Sequence, residues 1–294
     1  MARIPWVAAL WMFCIASVGA WQWPVDGGVL VTGFAQLHHD GFSRGVLFAG
    51  DDAVVRSAAA GEVVFFLAPG HRAHPLGNFV ALSHDGGFRS VYTGLEDVEL
   101  SDGVTSVVAG ERLGIVGGSG FARGRRVGFQ IIDEELDAFV NPMLILPPRE
   151  DRRSPVIVSI LLERDGQTIA ASAVTSYGPP GAARLLVETF DPSAETGTTL
   201  VPLAPYEIVV ELEGREIRRI TFETLQARDG SVVLAGRYRA DALYRGERLL
   251  DLGEIVVGER PVPLAVTVRD FAGNRVRRTV SLNPTAAADP QAGP

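Results

Sequence analysis

The chain has 294 residues, 47% of them hydrophobic and 21% charged, with a formal net charge of −8 at pH 7. This composition supplies core for two globular domains and excludes a disordered chain. The acidic balance excludes a broad electrostatic footprint for nucleic acid or for anionic membrane.

Residues 1–20 read as an export signal. Arg3 supplies the positive start, "WVAALWMFCIASV" the apolar run, and "VGA" at Val18–Ala20 the small residues of a cleavage site after Ala20. Cys14, the only cysteine, falls inside this segment and lacks the Leu-small-small context of a lipoprotein site. The mature protein is therefore expected to lack disulfides, thiol chemistry and Cys-based zinc sites. It is expected in the periplasm or cell envelope, with no transmembrane helix after signal cleavage.

From Trp21 to Pro148 short apolar runs alternate with glycine: "VVRSAA", "GEVVFFLA", "NFVALSHDGG", "FRSVYTGL", "TSVVAGERLGIVGGSG" and "VGFQIIDEE". No run carries a long 3.6-residue period, so residues 21–148 are expected to form an all-β domain. "PPREDRRSP", Pro147–Pro155, is charged and proline-flanked and marks a boundary, with residues 149–155 as the linker. Residues 156–283 alternate again. "PVIVSILLERDGQTIA" turns at Asp165-Gly166, "APYEIVVELEGREIRRITFE" turns around Gly214, and the last strands turn at Asp270–Asn274. Strands at this spacing suggest an immunoglobulin-like β-sandwich. Residues 284–294, small and proline-rich, read as a disordered tail.

The first domain resembles the LytM/lysostaphin family of peptidoglycan zinc endopeptidases. The carriers are "WPV" at Trp23–Val25, "VVRSAAAGEVV" at Val54–Val64 and "GNFVALSHDGG" at Gly77–Gly87. They continue with "VYTGL" at Val91–Leu95, "VVAGERLGIVGGSG" at Val107–Gly120, "GRRVGFQI" at Gly124–Ile131 and "FVNPMLILP" at Phe139–Pro147. The resemblance implies a LytM-type open β-barrel or sheet. The second domain looks like the β-sandwich that follows the peptidase-like domain in some exported members.

In that family zinc is held by the His and Asp of His-x-Gly-x-Asp and by the second His of His-x-His. The stretch "GFSRGVLFAGDDAVVRSAAAGEVV", Gly41–Val64, carries the frame of the first motif with Ser43 and Leu47 at its ligand positions, and Gly128 stands at the third. The two assisting histidines are replaced by Gly94 and Arg126. Zinc needs three N, S or O donors with a fourth position open to water. Leu47 and Gly128 offer none and Ser43 is a poor ligand, so no catalytic residue, metal ligand or cofactor is expected.

A rebuilt site would have to draw on His38, His39 and Asp40, or on His71 and His74. Adjacent residues of an extended chain point in opposite directions, so the first three cannot all converge on one ion. The geometry of the Pro/Gly-rich loop around His71 and His74 is not readable from sequence. His84, in "SHDGG", reads as a turn residue.

"RGRR" at Arg123–Arg126 places a cationic cluster in a domain with 15 acidic residues against 8 arginines. Arg126, with Arg125, Arg123 and Tyr92, is the candidate ligand-binding set. A guanidinium in the vacated cleft can take a stem-peptide carboxylate bidentately. The alternative for Arg126 is pairing with Asp40 or Glu62, or facing solvent.

Degenerate members of the family include activators of cell-wall amidases and septal scaffolds. The resemblance thus implies an exported, non-catalytic homologue that binds peptidoglycan or regulates a cell-wall hydrolase. Two alternatives stand beside it: an active endopeptidase with a rebuilt metal site, and a structural envelope protein.

Overall fold

The structure, a computed structural model, describes residues 21–38, 41–70, 73–120, 124–172, 174–176, 179–193 and 201–284. The expected signal, His39, Asp40, His71, Arg123 and nearly all of the tail lie outside these residues. Among the described residues the regular structure is strand, apart from a 3-10 turn at Pro142–Leu144 and a single helical turn at Ala240–Leu243. No helix among them is long and apolar enough to cross a membrane.

The first domain is built on antiparallel neighbours. Gly61–Leu67, Asn78–His84, Phe88–Val98 and Arg126–Asp133 pair in that order. Val46–Ala49 lies on the far side of Arg126–Asp133, and Val29–Thr32 pairs with Val46–Ala49. The period-2 alternation of the sequence becomes a division of faces. Val127, Phe129 and Ile131 are fully buried, while Arg126 and Gln130, on the alternate positions, are partly exposed. The sheet is open and does not close on itself.

The second domain holds two five-stranded sheets. One runs Gln167–Ala170, Val156–Arg164, Gly181–Ser193 and Val201–Leu203, with Leu249–Val257 also on Gly181–Ser193. The other runs Val174–Ser176, Arg275–Asn283, Val262–Arg269, Glu207–Leu212 and Arg215–Thr221. A single buried core draws on both, joining Ile160, Leu185 and Leu252 to Ile208, Val266 and Val280. The Asp165-Gly166 turn forms as the sequence predicts. Both residues have positive φ, 50° and 75°, the pair of left-handed conformations that lets a two-residue loop follow the strand twist.

The two bodies are joined by more than the proline-flanked segment. Ala138–Val140, at the edge of the first sheet, pairs with Thr224–Arg228, so the sheet runs on through Ser231–Leu234 and Tyr238–Arg239. Asn141 sits at this seam, 1% exposed. Its Nδ2 donates to the Phe222 carbonyl at 2.8 Å and its Oδ1 accepts from Met143 N at 3.0 Å. Residues ahead of Val46–Ala49 are drawn into the second core as well. Phe34, Ala35 and Phe42 belong to it, and the Tyr244 hydroxyl donates to the Ala35 carbonyl at 3.1 Å.

Candidate functional site

Directly opposed residues of antiparallel strands project from the same face. Leu47 opposes Gly128, Gly128 opposes Thr93, and Thr93 opposes Phe79. Their chain neighbours Phe48, Val127 and Tyr92 are wholly buried in the core, so this row lies on the other face. Gly128 is boxed in. A Cβ built on it would stand 2.5 Å from Thr93 Oγ1 and 3.3 Å from Leu47 Cδ2. The neighbours of Gly128 therefore occupy the room that a larger side chain would need.

Gly94 adjoins the row for a backbone reason. Its φ of +77° is in the left-handed region, and a Cβ there would lie 2.5 Å from the Arg126 carbonyl oxygen. Its N–H donates to Leu76 O at 2.9 Å, and its carbonyl accepts from Gly117 N at 3.1 Å. Ser43 stands apart from the row, on the loop that leads into Val46–Ala49. Its Oγ donates to the Gly45 carbonyl at 2.8 Å, and its backbone bonds to Ala35 and Gln36. Of the five sequence-predicted positions, Leu47, Gly94, Arg126 and Gly128 come together on adjacent strands, and Ser43 approaches only through its loop.

The arginines divide. Arg125 Nη2 binds Asp52 Oδ1 at 2.7 Å and the Val116 carbonyl at 2.9 Å, and Nη1 lies 3.7 Å from Glu96. Arg126 opposes Ala49, shares the face of Gly128 and is partly exposed. Its guanidinium has no hydrogen-bond or ion-pair partner among the described residues. Arg123 lies outside the described residues.

Tyr92 corrects the sequence reading, which grouped it with ligand-binding residues. It is fully buried on the core face, because Tyr92 opposes Phe129, whose side chain points into the core. Its hydroxyl accepts from Ala58 N at 2.8 Å and lies 3.1 Å from Ser90 Oγ. Ser90 Oγ is 2.7 Å from His84 Nε2, and His84 Nδ1 is 2.8 Å from the Ala60 carbonyl. A carbonyl only accepts, so Nδ1 carries the proton and Nε2 accepts from Ser90. Burial lowers the His84 pKa, against opposing effects of the Ala60 hydrogen bond and Asp85. His84 is thus a satisfied core residue at a strand end, beneath the Trp21 ring at 4.8 Å, rather than a turn residue. The i, i+2 spacing of Ser90 and Tyr92 is the sequence signal that could have suggested a shared face.

Among the described residues, His74 packs against Phe79, at the end of the row. Its ring centroid lies 5.2 Å from that of Phe79, and its Nδ1 accepts from Leu76 N at 3.2 Å. Phe65 reaches Phe79 from the next strand, at 5.5 Å between centroids. Among the described residues, the face around Gly128 is thus lined by Leu47, Thr93, Phe79 and Phe65, with Arg126 as a cation on it. Among the described residues, the one convergence of three His, Cys, Asp or Glu ligands lies elsewhere, at Asp151, Asp191 and Asp270.

Residues 41–142 match Peptidase family M23, and a separate match covers residues 154–284. The outer membrane antigenic lipoprotein B of Haemophilus influenzae is 32% identical over 107 residues, 36% of this chain and 25% of that protein. The murein hydrolase activator NlpD of Salmonella dublin is 29% identical over 135 residues, 46% of this chain and 33% of its own length. The chain thus spans a quarter to a third of the length of these relatives. Among solved structures, a putative M23 peptidase from Pseudomonas aeruginosa is 25% identical with a TM-score of 0.36, covering 44% of this chain and 51% of that one. The SpoIIQ-SpoIIIAH pore forming complex contains a chain 23% identical with a TM-score of 0.38, covering 44% and 92%.

Proposed function

Because the first domain is a Peptidase M23 (LytM-type) domain, we propose that the protein is an exported, non-catalytic relative of cell-wall peptidases. It works in the envelope by binding peptidoglycan or regulating a cell-wall hydrolase. The observation that carries this reading is the Leu47–Gly128–Thr93 row. Two positions that bind zinc in the resembled family hold a leucine and a glycine here, and the space above the glycine is taken by Thr93 and Leu47. A row whose one side-chain oxygen is the Thr93 hydroxyl lacks the three donors that hold a zinc ion, and without the metal a water keeps its bulk pKa. What remains is a shaped sheet face with a cation at its edge, which suits recognition of an anionic, partly apolar partner. The murein hydrolase activator among the relatives supports the same direction.

The test is an activation assay. Dye release from labelled sacculi is measured with a purified murein hydrolase of the same cell, with and without this protein. The reading expects faster release with both proteins present and co-sedimentation of this protein with sacculi or with the hydrolase. No stimulation together with no co-sedimentation on either partner would overturn it.

A further inference from the structure

A second cluster lies where the interdomain segment meets the sandwich. Carboxylate oxygens of Asp151, Asp191 and Asp270 all lie within 4.8 Å of one another. They come from three separate places: the segment between the domains, the Gly181–Ser193 strand, and the turn after Val262–Arg269. Asp191 and Asp270 are 8% and 1% exposed. Asp270 is held by Asn274, whose backbone N donates to Oδ1 at 2.8 Å and whose Nδ2 donates to Oδ2 at 2.9 Å. The same Nδ2 donates to the Asp151 carbonyl at 3.1 Å, and Asp151 Oδ1 accepts from Arg153 N at 2.9 Å.

Asp191 differs from its two neighbours. Its Oδ1 is buried and has no hydrogen-bond partner. A buried carboxylate with an open lone pair, beside two more carboxylates, is strongly disfavoured unless something positive joins it. Burial, with Asp270 and Asp151 beside it, pushes its pKa up to about 8.

We propose that Asp151, Asp191 and Asp270 form a calcium site that clamps the interdomain segment onto the second domain. The three side-chain donors are hard carboxylate oxygens, which suit Ca²⁺ or Mg²⁺ and not a zinc site built on Cys or His. Two oxygens each about 2.3–2.6 Å from one ion stand at most about 4.6–5.2 Å apart, and three average at most about 4.0–4.5 Å, so carboxylates all within 4.8 Å of one another close on Ca²⁺ with a small inward shift. Mg²⁺, at about 2.0–2.1 Å, allows a span of only about 4.2 Å and demands near-octahedral order. The dication offsets two of three negative charges and gives Asp191 Oδ1 its missing partner. An adjoining cavity, bordered by Pro148, Glu150, Phe271 and Ala272, leaves room for water to complete the shell. Affinity in the range of extracellular modules, on the order of 10⁻⁴–10⁻³ M, suits such a site.

The experiment uses the purified full-length protein after chelator treatment and desalting. Calorimetric titration with CaCl₂ and with MgCl₂ is paired with thermal unfolding in about 10 mM CaCl₂ or in chelator. Expected are one Ca²⁺ per chain, Mg²⁺ at least about tenfold weaker, and a calcium-dependent rise in Tm of about 2–5 °C. Asp191→Asn should abolish both binding and the shift. Its Tm in chelator should equal or exceed that of the wild type, because Asn removes a carboxyl that without metal must be either buried charged or protonated well above its ordinary pKa. Asp151→Asn, at a partly exposed position, should weaken binding at least about tenfold and gives a second reading should Asp191→Asn fail to fold. Absence of calcium heat with the same Tm in calcium and chelator would overturn the site. So would an unchanged calcium shift in Asp191→Asn. Equal binding of Mg²⁺ would overturn its assignment to calcium.

Discussion

Leu47 and Gly128 oppose each other across an antiparallel pair, with Leu47 Cδ2 only 3.3 Å from where a Gly128 Cβ would stand. Thr93 closes the other side, its Oγ1 2.5 Å from the same point. Gly128 is therefore held small by packing. Gly128→Ala should destabilise the protein by about 1–3 kcal/mol, the usual range for overpacking. Thr93→Ala in the same chain should recover part of that loss, and a double-mutant cycle by denaturant unfolding measures the coupling. Additive effects would mean that Thr93 does not set the limit.

The same crowding bears on repair of the family motif. Ser43→His with Leu47→Asp and Gly128→His should lower stability and not restore hydrolysis. The new imidazole meets Thr93, the new carboxylate enters a largely apolar row, and the assisting positions are still Gly94 and Arg126. Thermal unfolding and dye release from labelled sacculi check both halves of this expectation.

His84 carries a pH signature. Its folded pKa is lowered by burial, so the unfolded chain binds the proton more tightly. Stability should be fully present above the unfolded value near 6.5 and should fall as pH drops below it, levelling out once pH is under the folded value. His84→Gln should flatten that slope while lowering overall stability. Urea midpoints between about pH 7.5 and 4.5 give the comparison.

Arg126 shares a face with Gly128, and its guanidinium has no partner among the described residues. If a stem-peptide carboxylate is the ligand of this face, Arg126→Ala should cost about 1.5–3 kcal/mol of affinity. Arg126→Lys should recover part of it, because a point charge does not reproduce the fork. Titration of a soluble muropeptide at two salt concentrations measures all three proteins. Equal affinities would remove the groove from consideration and direct attention to other surfaces.

Asn141 ties the two domains together. Asn141→Ala leaves the Phe222 carbonyl without its buried donor and removes the cap on Met143 N. A loss of about 1–3 kcal/mol is expected, measured by denaturant unfolding.

Much of the first sheet was legible in the sequence because half-buried strands write their period-2 alternation plainly, as Val127, Phe129 and Ile131 do. The Asp165-Gly166 turn was legible because few residue pairs accept two positive φ values. The side to which Tyr92 points was not, since an aromatic on a strand suits either a core or a cleft. The pairing of Ala138–Val140 with Thr224–Arg228 was also hidden, because each strand's pattern shows a buried face but not its neighbour. The acid cluster was hidden for the same reason: Asp151, Asp191 and Asp270 are far apart in the chain and meet only through the fold.

The most direct measurement of the central claim joins metal content to hydrolysis. The purified protein is equilibrated with zinc, passed through a desalting column, assayed for bound metal and incubated with dye-labelled sacculi with and without chelator. A face closed by Leu47, Gly128 and Thr93 predicts no stoichiometric zinc retained at the M23 domain and no dye release above the buffer control. One tightly held zinc per chain together with chelator-sensitive release would contradict it.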